Sequence, residues 1–456
     1  IKTVAVYSES DSNSLAVNMA DESYLIGPSP SNQSYLVIDN IIDVIERSGA
    51  DSVHPGYGFL SESYEFAKRL EMIGVALIGP SKEAIKAMGD KITSKKIASA
   101  AKVNIVPGYM GIIKSDSEAK KIANNIGFPV MIKATAGGGG RGMRIVHDKQ
   151  DVVSAFRSAE SEAQKSFGDG RIFIEKFIEK PRHIEIQVMA DKHGNVVCLG
   201  ERECSIQRYN QKVIEEAPSP FLTPKIRKEM YKQSSRLAKK VGYYSVGTIE
   251  YIVDQSGHFY FLEMNTRLQV EHPVTELITG IDLVEQMIHI ANGGKLNIEQ
   301  ESVVLKGWAL ESRIYAEDPS RGFLPSSGRI SKYHQPTESE NVRVDSGVYE
   351  GDEISMFYDP MIAKVCSYGE TRDDAIHHMQ KALSQYAIEG VSHNISFLED
   401  VFHSDRFGRG DLSTSYIAEE YPDGYEVGEI ISDSQIPICC AAAVIRLRTS
   451  ERLSCI

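Results

Sequence analysis

Five polar side chains alternate through FLEMNTRLQVEH at 261–272. Glu263, Asn265, Arg267, Gln269 and Glu271 are separated by Leu262, Met264, Thr266, Leu268 and Val270. Along an extended chain successive side chains point to opposite faces, so two carboxylates, two amides and a guanidinium could share one side. A half-buried strand with its wet face in water gives the same alternation. Two details point elsewhere: asparagine is a poor strand former, and the segment runs into His272-Pro273, which ends a ladder. The strand is expected to end near Thr266, so the shared face is approximate beyond it.

Glu250 and Glu263 fall on the two strands of a predicted hairpin, GTIEYIV and FYFLEMN joined by DQSGH, and come opposite or diagonal on one face. Two carboxylates a few ångströms apart repel, and a divalent cation is the natural way to keep both ionised. Asn265 extends that face. Oxygen ligands without sulfur or imidazole suit Mg²⁺ or Mn²⁺ bridging nucleotide phosphates. A salt-bridged surface pair is the alternative reading.

AGGGGRGM at 136–143 follows Lys133 and lies between two predicted strands. Four consecutive glycines lose much conformational entropy on ordering and offer no packing. They form either a flexible linker or a loop whose backbone N–H groups wrap phosphates. The segment lacks GxxxxGK[ST] and is not a P-loop. EKFIEKPRHIEIQVM adds Glu175, Lys176 and His183, the histidine being structural or functional on this showing. RECSIQRYNQKVIEEAP sets Arg202, Gln207, Arg208 and Lys212 beside Glu215 and Glu216. Such a run is a solvated face or an anion site, and the nearby glycine loop favours the second.

The elements that must position these groups read as follows. Residues 1–90 alternate strand and helix in the βαβ rhythm of a parallel sheet. RIFIEKFI, HIEIQVMA and VVCLGERECSI are strands, followed by the hairpin, and beyond ALESRIYAEDP the strands shorten. The helices DDAIHHMQKALSQYAIEG and SFLEDVFH close that part. IKTVAVYS reads as a buried strand from the first residue, so preceding residues are expected. At 456 residues the chain can hold two to four cores. A net charge of −13 argues against nucleic acid as a partner. No apolar run reaches the ~20 residues of a membrane span. Six scattered cysteines without a CxxC pair suggest free thiols rather than a disulfide framework or zinc site.

HPGYGFLSE (54–62), MGDKITSKK (88–96), KATAGGGGRGM (133–143), PRHIEIQV (181–188), EMNTRLQVEHPVTE (263–276) and YDPMIAKV (358–365) together resemble the biotin carboxylase component of biotin-dependent carboxylases. The likeness runs from residue 1 to about 420. Within that group, HNISFLEDV and STSYIAEEYPDG look most like alpha subunits of propionyl-CoA carboxylases. The resemblance implies an α/β (α+β) chain with an ATP-grasp fold. A truncated, Rossmann-like N-terminal domain would span 1–90, and an ATP-grasp domain 91–300 with its lid at about 107–177. A C-terminal biotin carboxylase domain would span 301–420, and 421–456 would start a linker or further domain.

It also implies roles. Lys91 and Lys133 match ATP-phosphate lysines, and Gly139 and Gly140 lid contacts. Glu175, Lys176, Ile178, His183, Gln207 and Asn210 match nucleotide contacts. Glu250, Glu263 and Asn265 match metal ligands. Lys212, Arg267, Gln269 and Val270 match the bicarbonate cradle, Glu271 the base, and Arg343 in VRVDSG the biotin-site arginine. The implied reaction is ATP-dependent carboxylation of protein-linked biotin through carboxyphosphate, with Mg²⁺ or Mn²⁺. A biotin carrier domain, a carboxyltransferase (beta) subunit and a second copy of the chain are the implied partners. The implied location is the bacterial cytoplasm or, in a eukaryote, the mitochondrial matrix. Other acyl-CoA carboxylases (acetyl-, methylcrotonyl-) or pyruvate carboxylase, a non-biotin ATP-grasp ligase and an inactive nucleotide-binding fragment are the alternatives. The family's opening strand and its ANRGEIA-type loop are absent, and Tyr209 stands where arginine is common. No Ala-Met-Lys-Met-like tetrad occurs, so the biotin-bearing lysine is expected on another domain or subunit.

Overall fold

Residues 1–90 alternate as the pattern predicts, but their parallel pairings form two separate two-stranded pieces. β1 (Val4–Ser8) pairs with β2 (Glu22–Gly27), and Ser52–Val53 pairs with Ala76–Leu77. With a partner on one edge only, β1 is half-exposed rather than buried. Between them α1 (Ile38–Ser48) ends on Gly49 in the left-handed region, φ 68°, where a Cβ would be strained. Ile42 and Ile45 of α1 bury against Phe66 and Leu70 of α2 (Tyr64–Met72), whose N-terminus is capped by the Ser63 hydroxyl.

The computed structural model describes residues 1–109, 111–135 and 142–426, with Pro437, Ala441, Val444 and Ile445. Gly139 and Gly140 lie outside the described residues, as do Cys439, Cys440 and Cys455. After α3 (Lys91–Ala100), capped by Asp90, comes a small layered unit. Its sheet runs β4 (Met143–Val146), β3 (Val130–Ala134), β5 (Ile172–Lys176), all antiparallel. The helices α4 (Asp116–Ile126) and α5 (Val152–Phe167) cover one face, packing Ile122, Phe156 and Ala159 on Val130, Ile132 and Ile174.

The rest is built on one eight-stranded antiparallel sheet. Its strands are β6 (Arg182–Ala190), β7 (Val196–Arg208), β8 (Gln211–Ala217), β9 (Ser245–Val253), β10 (Phe259–Asn265), β11 (Trp308–Tyr315), β12 (Val342–Ser346) and β13 (Met361–Gly369). Their spatial order is β10-β9-β6-β7-β8-β11-β13-β12. α6 (Pro224–Val241), capped by Thr223, buries Met230 and Leu237 against the β6–β7 end. α7 (His272–Thr279) starts directly after Glu271 and crosses β7, β8, β11 and β13. α8 (Arg372–Gln385) packs along β11 and β13, with α9 (Ile395–His403) on its flank.

Candidate active site

β10 ends at Asn265, one residue before the expected stop, so only Glu263 and Asn265 share a strand face. The register then builds a row of charge across four strands. Glu263 faces Glu250, Glu250 faces Glu185, and Glu185 faces Arg202. Asn265 donates to Glu250 Oε1 at 2.8 Å and Gln269 donates to the same oxygen at 3.0 Å. Glu263 has no hydrogen-bond or ion-pair partner among the described residues. Burial, and then Glu250, push its carboxyl above the ordinary value. An unpartnered, half-buried carboxylate opposite an ionised one is what a divalent cation would satisfy, so the donor set fits Mg²⁺.

Between the small sheet and the large one lies a cavity of about 270 Å³. Lys91, Lys133, Glu175, Lys176 and Ile178 line one side; His183, Gln207, Asn210, Glu250 and Glu263 line the other. Glu175 is buried between two lysines: Lys133 Nζ lies 2.5 Å from Oε1, and Lys95 holds Oε2. Burial alone would raise this carboxyl, but Lys133 and Lys95 outweigh it and hold the group at about 2. Lys91, half-buried and without an ion-pair partner among the described residues, is pushed down by desolvation against the pull of Glu263. His183 accepts from the Gln207 amide at Nδ1 (2.7 Å) and places Nε2 3.0 Å from Glu250 Oε2. Lys176 turns its ammonium to the carbonyls of Gly127 and Phe128 at 3.2 and 2.7 Å. Tyr209 and Asn210 form the β7–β8 turn with φ of 50° and 64°; Tyr209 is 77% exposed, and the Arg208 guanidinium lies 5.4 Å from its ring centre.

Lys212 gathers the acids. Its ammonium lies 2.5 Å from Glu185, 2.5 Å from Glu271 and 3.2 Å from Glu250. Burial opposes its charge, yet the three carboxylates raise its affinity for a proton well above the ordinary value. The other oxygen of Glu271 accepts from Arg313 Nη2 at 2.8 Å. Desolvation would raise Glu271, but Lys212, Arg313 and Arg202 hold it well below the usual carboxylate range. Fully buried Arg202 donates to Glu185 and Gln187 at 2.5 Å, to Thr275 and Gln269 at 2.9 Å, and to Thr248 at 3.0 Å. The charged run through 202–216 therefore faces inward, not to solvent.

Arg267 reaches back to Asn265 Oδ1 at 3.1 Å and sideways to Glu62 Oε2 at 3.0 Å. The Thr266 N–H donates to the other Glu62 oxygen at 2.9 Å. The Val270 carbonyl accepts from Lys364 Nζ at 2.7 Å. Arg343 is placed apart from this cluster. It is paired with Glu276 on α7 and with Asp345, each at 2.7 Å, and keeps its side chain 33% exposed. The guanidinium that touches Glu271 is Arg313, which sequence reasoning missed together with Glu185. The charged residues Glu311 and Arg313 in LESRIY, flanked by Leu310, Ile314 and Tyr315, were the available signal.

Comparison with known proteins identifies this arrangement. Three family descriptions match in sequence: the biotin carboxylase N-terminal domain at 1–85, the ATP-binding domain of carbamoyl-phosphate synthase L chain at 90–299, and the biotin carboxylase C-terminal domain at 311–419. The propionyl-CoA carboxylase alpha chain of Ruegeria pomeroyi is 57% identical over 99% of this chain and 69% of its own length. The chain belongs to the biotin carboxylase family. The mitochondrial propionyl-CoA carboxylase alpha chain of Mus musculus is 56% identical over 93% of this chain and 59% of its own. This biotin carboxylase thus spans about 60–70% of the length of those relatives. Among solved structures, the biotin carboxylase domain of Hydrogenobacter thermophilus 2-oxoglutarate carboxylase, in complex with MgADP, ADP and bicarbonate, superposes with a TM-score of 0.91 at 46% identity, covering 94% of each chain. Biotin carboxylase of Campylobacter jejuni in its β,γ-ATP complex gives 0.89 at 45% identity over 92% of this chain and 93% of that one. Family membership makes the chain an ATP-grasp ligase that carboxylates biotin. No helix among the described residues is long and apolar enough to cross a membrane.

Proposed function

We propose that this chain performs the first half-reaction of an acyl-CoA carboxylase, with propionyl-CoA as the final acceptor. The observation that carries the half-reaction is the Glu271 carboxylate held between Lys212 and Arg313, next to the Glu250–Glu263 pair. Glu271 accepts the proton of bicarbonate, whose oxygen then attacks the γ-phosphorus of ATP to give carboxyphosphate and ADP. The incoming anion competes with Glu271 for Lys212, and that competition raises the proton affinity of the base when it is needed. Lys91 and Lys133 neutralise charge on the transferred group, where positioning and electrostatics supply most of the rate. Glu250, Glu263 and Asn265 would hold Mg²⁺ or Mn²⁺, which adds charge neutralisation when bound. Gln269 and Val270 fix bicarbonate beside Arg267. Carboxyphosphate yields CO₂ and phosphate, and phosphate removes the ureido proton of protein-linked biotin. Of the two guanidiniums available to the resulting negative charge, Arg343 and Arg313, the contact with Glu271 favours Arg313.

Propionyl-CoA is favoured as acceptor because relatives of that name are 53–57% identical, against 47% for the methylcrotonoyl-CoA carboxylase subunit of Dictyostelium discoideum. In this reading the domains are 1–90, 91–300 with a lid at about 107–177, and 301–420. A carrier domain bearing biotin, a carboxyltransferase subunit and a second copy of the chain are the partners. The location is the cytoplasm in a bacterium and the mitochondrial matrix in a eukaryote, as relatives of both kinds suggest. Bicarbonate-dependent ADP release, measured with and without free biotin, tests the reading. Turnover indifferent to biotin would mean another ATP-grasp ligase, and ATP binding without turnover would mean a nucleotide-binding scaffold.

A further inference from the structure

Behind Arg313 lie two glutamates for which the reaction above has no use. Glu215 on β8 and Glu311 on β11 are direct cross-strand partners, so their side chains emerge on the same face of the sheet. Both are fully buried. Glu215 Oε1 accepts from Arg313 Nε at 2.7 Å and Nη2 at 2.5 Å, the same Nη2 that reaches Glu271 at 2.8 Å. Glu311 Oε2 accepts only a weak Cys366 S–H bond at 3.4 Å. The second oxygen of each, Glu215 Oε2 and Glu311 Oε1, is buried without a partner. Lys364, the cation that acts most strongly on Glu311, spends its ammonium on the Val270 carbonyl at 2.7 Å and on Asp345 at 3.2 Å.

Two adjacent buried carboxylates of which only Glu215 is ion-paired do not both ionise cheaply. We propose that Glu215 and Glu311 share one proton and together act as a positioning pair, which keeps part of Arg313 turned away from Glu271 and so preserves the ability of Glu271 to take a proton. The proton lies between the two orphaned oxygens and satisfies both. Glu215 stays largely anionic and competes with Glu271 for Nη2. Burial pushes Glu311 up to about 8 and Glu215 up to about 7, consistent with one retained proton at neutral pH. The charged groups facing the pair are Arg313, Lys364, Lys212 and Glu271, with the Cys366 thiol beside Glu311. Were Glu215 neutral, Arg313 would commit to Glu271 and deepen an ion pair that already holds the base well below its usual range.

The inference rests on Glu271 as base, so its test has one arm that needs no turnover. Difference infrared spectra of the wild-type chain should show a protonated carboxylic acid band at neutral pH that fades as pH rises through about 8. Glu311→Gln should lose that band. Glu215→Gln should lower kcat for bicarbonate-dependent ADP release by about tenfold or more, leave KM for ATP unchanged, and move the acid limb of the pH profile to lower pH. A merely structural role would raise KM with kcat and leave the limb in place. The band persisting in Glu311→Gln, or an unmoved limb in Glu215→Gln, overturns the proposal. Absence of turnover in the wild type, with the band behaving as described, would count against the base assignment and not against the pair.

Discussion

Lys212 holds Glu271 at 2.5 Å, and through that contact the expected base rests as an ion pair. Replacing Glu271 with glutamine keeps the side-chain shape but leaves no site for the proton. Bicarbonate-dependent ADP release should fall ~10²–10⁴-fold, while ATP binding measured by calorimetry stays near wild type because Glu271 lies outside the cavity wall. Full turnover in Glu271→Gln would remove the residue from the mechanism.

Arg313 and Arg343 can be told apart by the ratio of two activities. Arg343→Ala breaks its pairs with Glu276 and Asp345 at a partly exposed site, so ADP release should drop less than about fivefold. Arg313→Ala leaves Glu215 buried without its guanidinium and Glu271 with Lys212 alone, and should abolish biotin carboxylation. Parity of the two variants in carboxylation of free biotin would return the role to Arg343.

Glu263 should reveal the cation by two measurements. Glu263→Gln is expected to raise the Mg²⁺ concentration needed for half-maximal ADP release by at least about tenfold. In metal-free buffer the same variant should melt about 1 °C higher, the shift that roughly 1 kcal/mol of relieved repulsion from Glu250 gives in a chain of this length. An unaltered Mg²⁺ titration places Glu263 outside the coordination shell.

Glu175 provides an acid test of the nucleotide cavity. Its folded-state carboxyl sits at about 2 against an ordinary 4.5, so its contribution is complete above 4.5 and is lost as pH falls toward 2. Glu175→Gln should therefore lower stability at neutral pH and flatten the decline of the urea midpoint across that interval. A parallel decline in both proteins would show that Lys95 and Lys133 do not hold the carboxylate.

Arg202 is the costliest residue to remove. Arg202→Met leaves Glu185 buried and short of its guanidinium, a loss of about 3–5 kcal/mol by the usual measure of a broken interior ion pair. Urea unfolding checks it. A change below about 1 kcal/mol would mean that Lys212 alone can satisfy Glu185.

The legible parts of this chain are those where one local pattern decides the answer. The hairpin around DQSGH was legible and put Glu250 near Glu263, but an irregularity between Glu250 and Tyr251 is what sets the two face to face, and no local period encodes it. The end of the ladder before His272-Pro273 was legible, whereas the helix that starts there was not. Arg313 stayed hidden because its partners come from β8 and from the residue before α7, 98 and 42 positions away, and no local period encodes such pairings. Arg343 was assigned through the resemblance of VRVDSG alone, and the outer strand β12 sets it beside Asp345. The parallel pieces at 1–90 followed the βαβ rhythm, but nothing in that rhythm could tell one sheet from two.

Glu62 ties the first ninety residues to the catalytic loop across a gap of 205 positions, accepting from Arg267 with one oxygen and from the Thr266 backbone with the other. Two stretches of gene that look independent are therefore obliged to drift together. A neutral residue at 62 strips Arg267 of its lateral anchor and frees it to swing, and a shortened side chain at 267 leaves Glu62 with its bonds from Thr266 alone. Substitutions at these two positions should be accepted in pairs or not at all, and a lineage could exchange the carboxylate and guanidinium only by passing through a poorer enzyme.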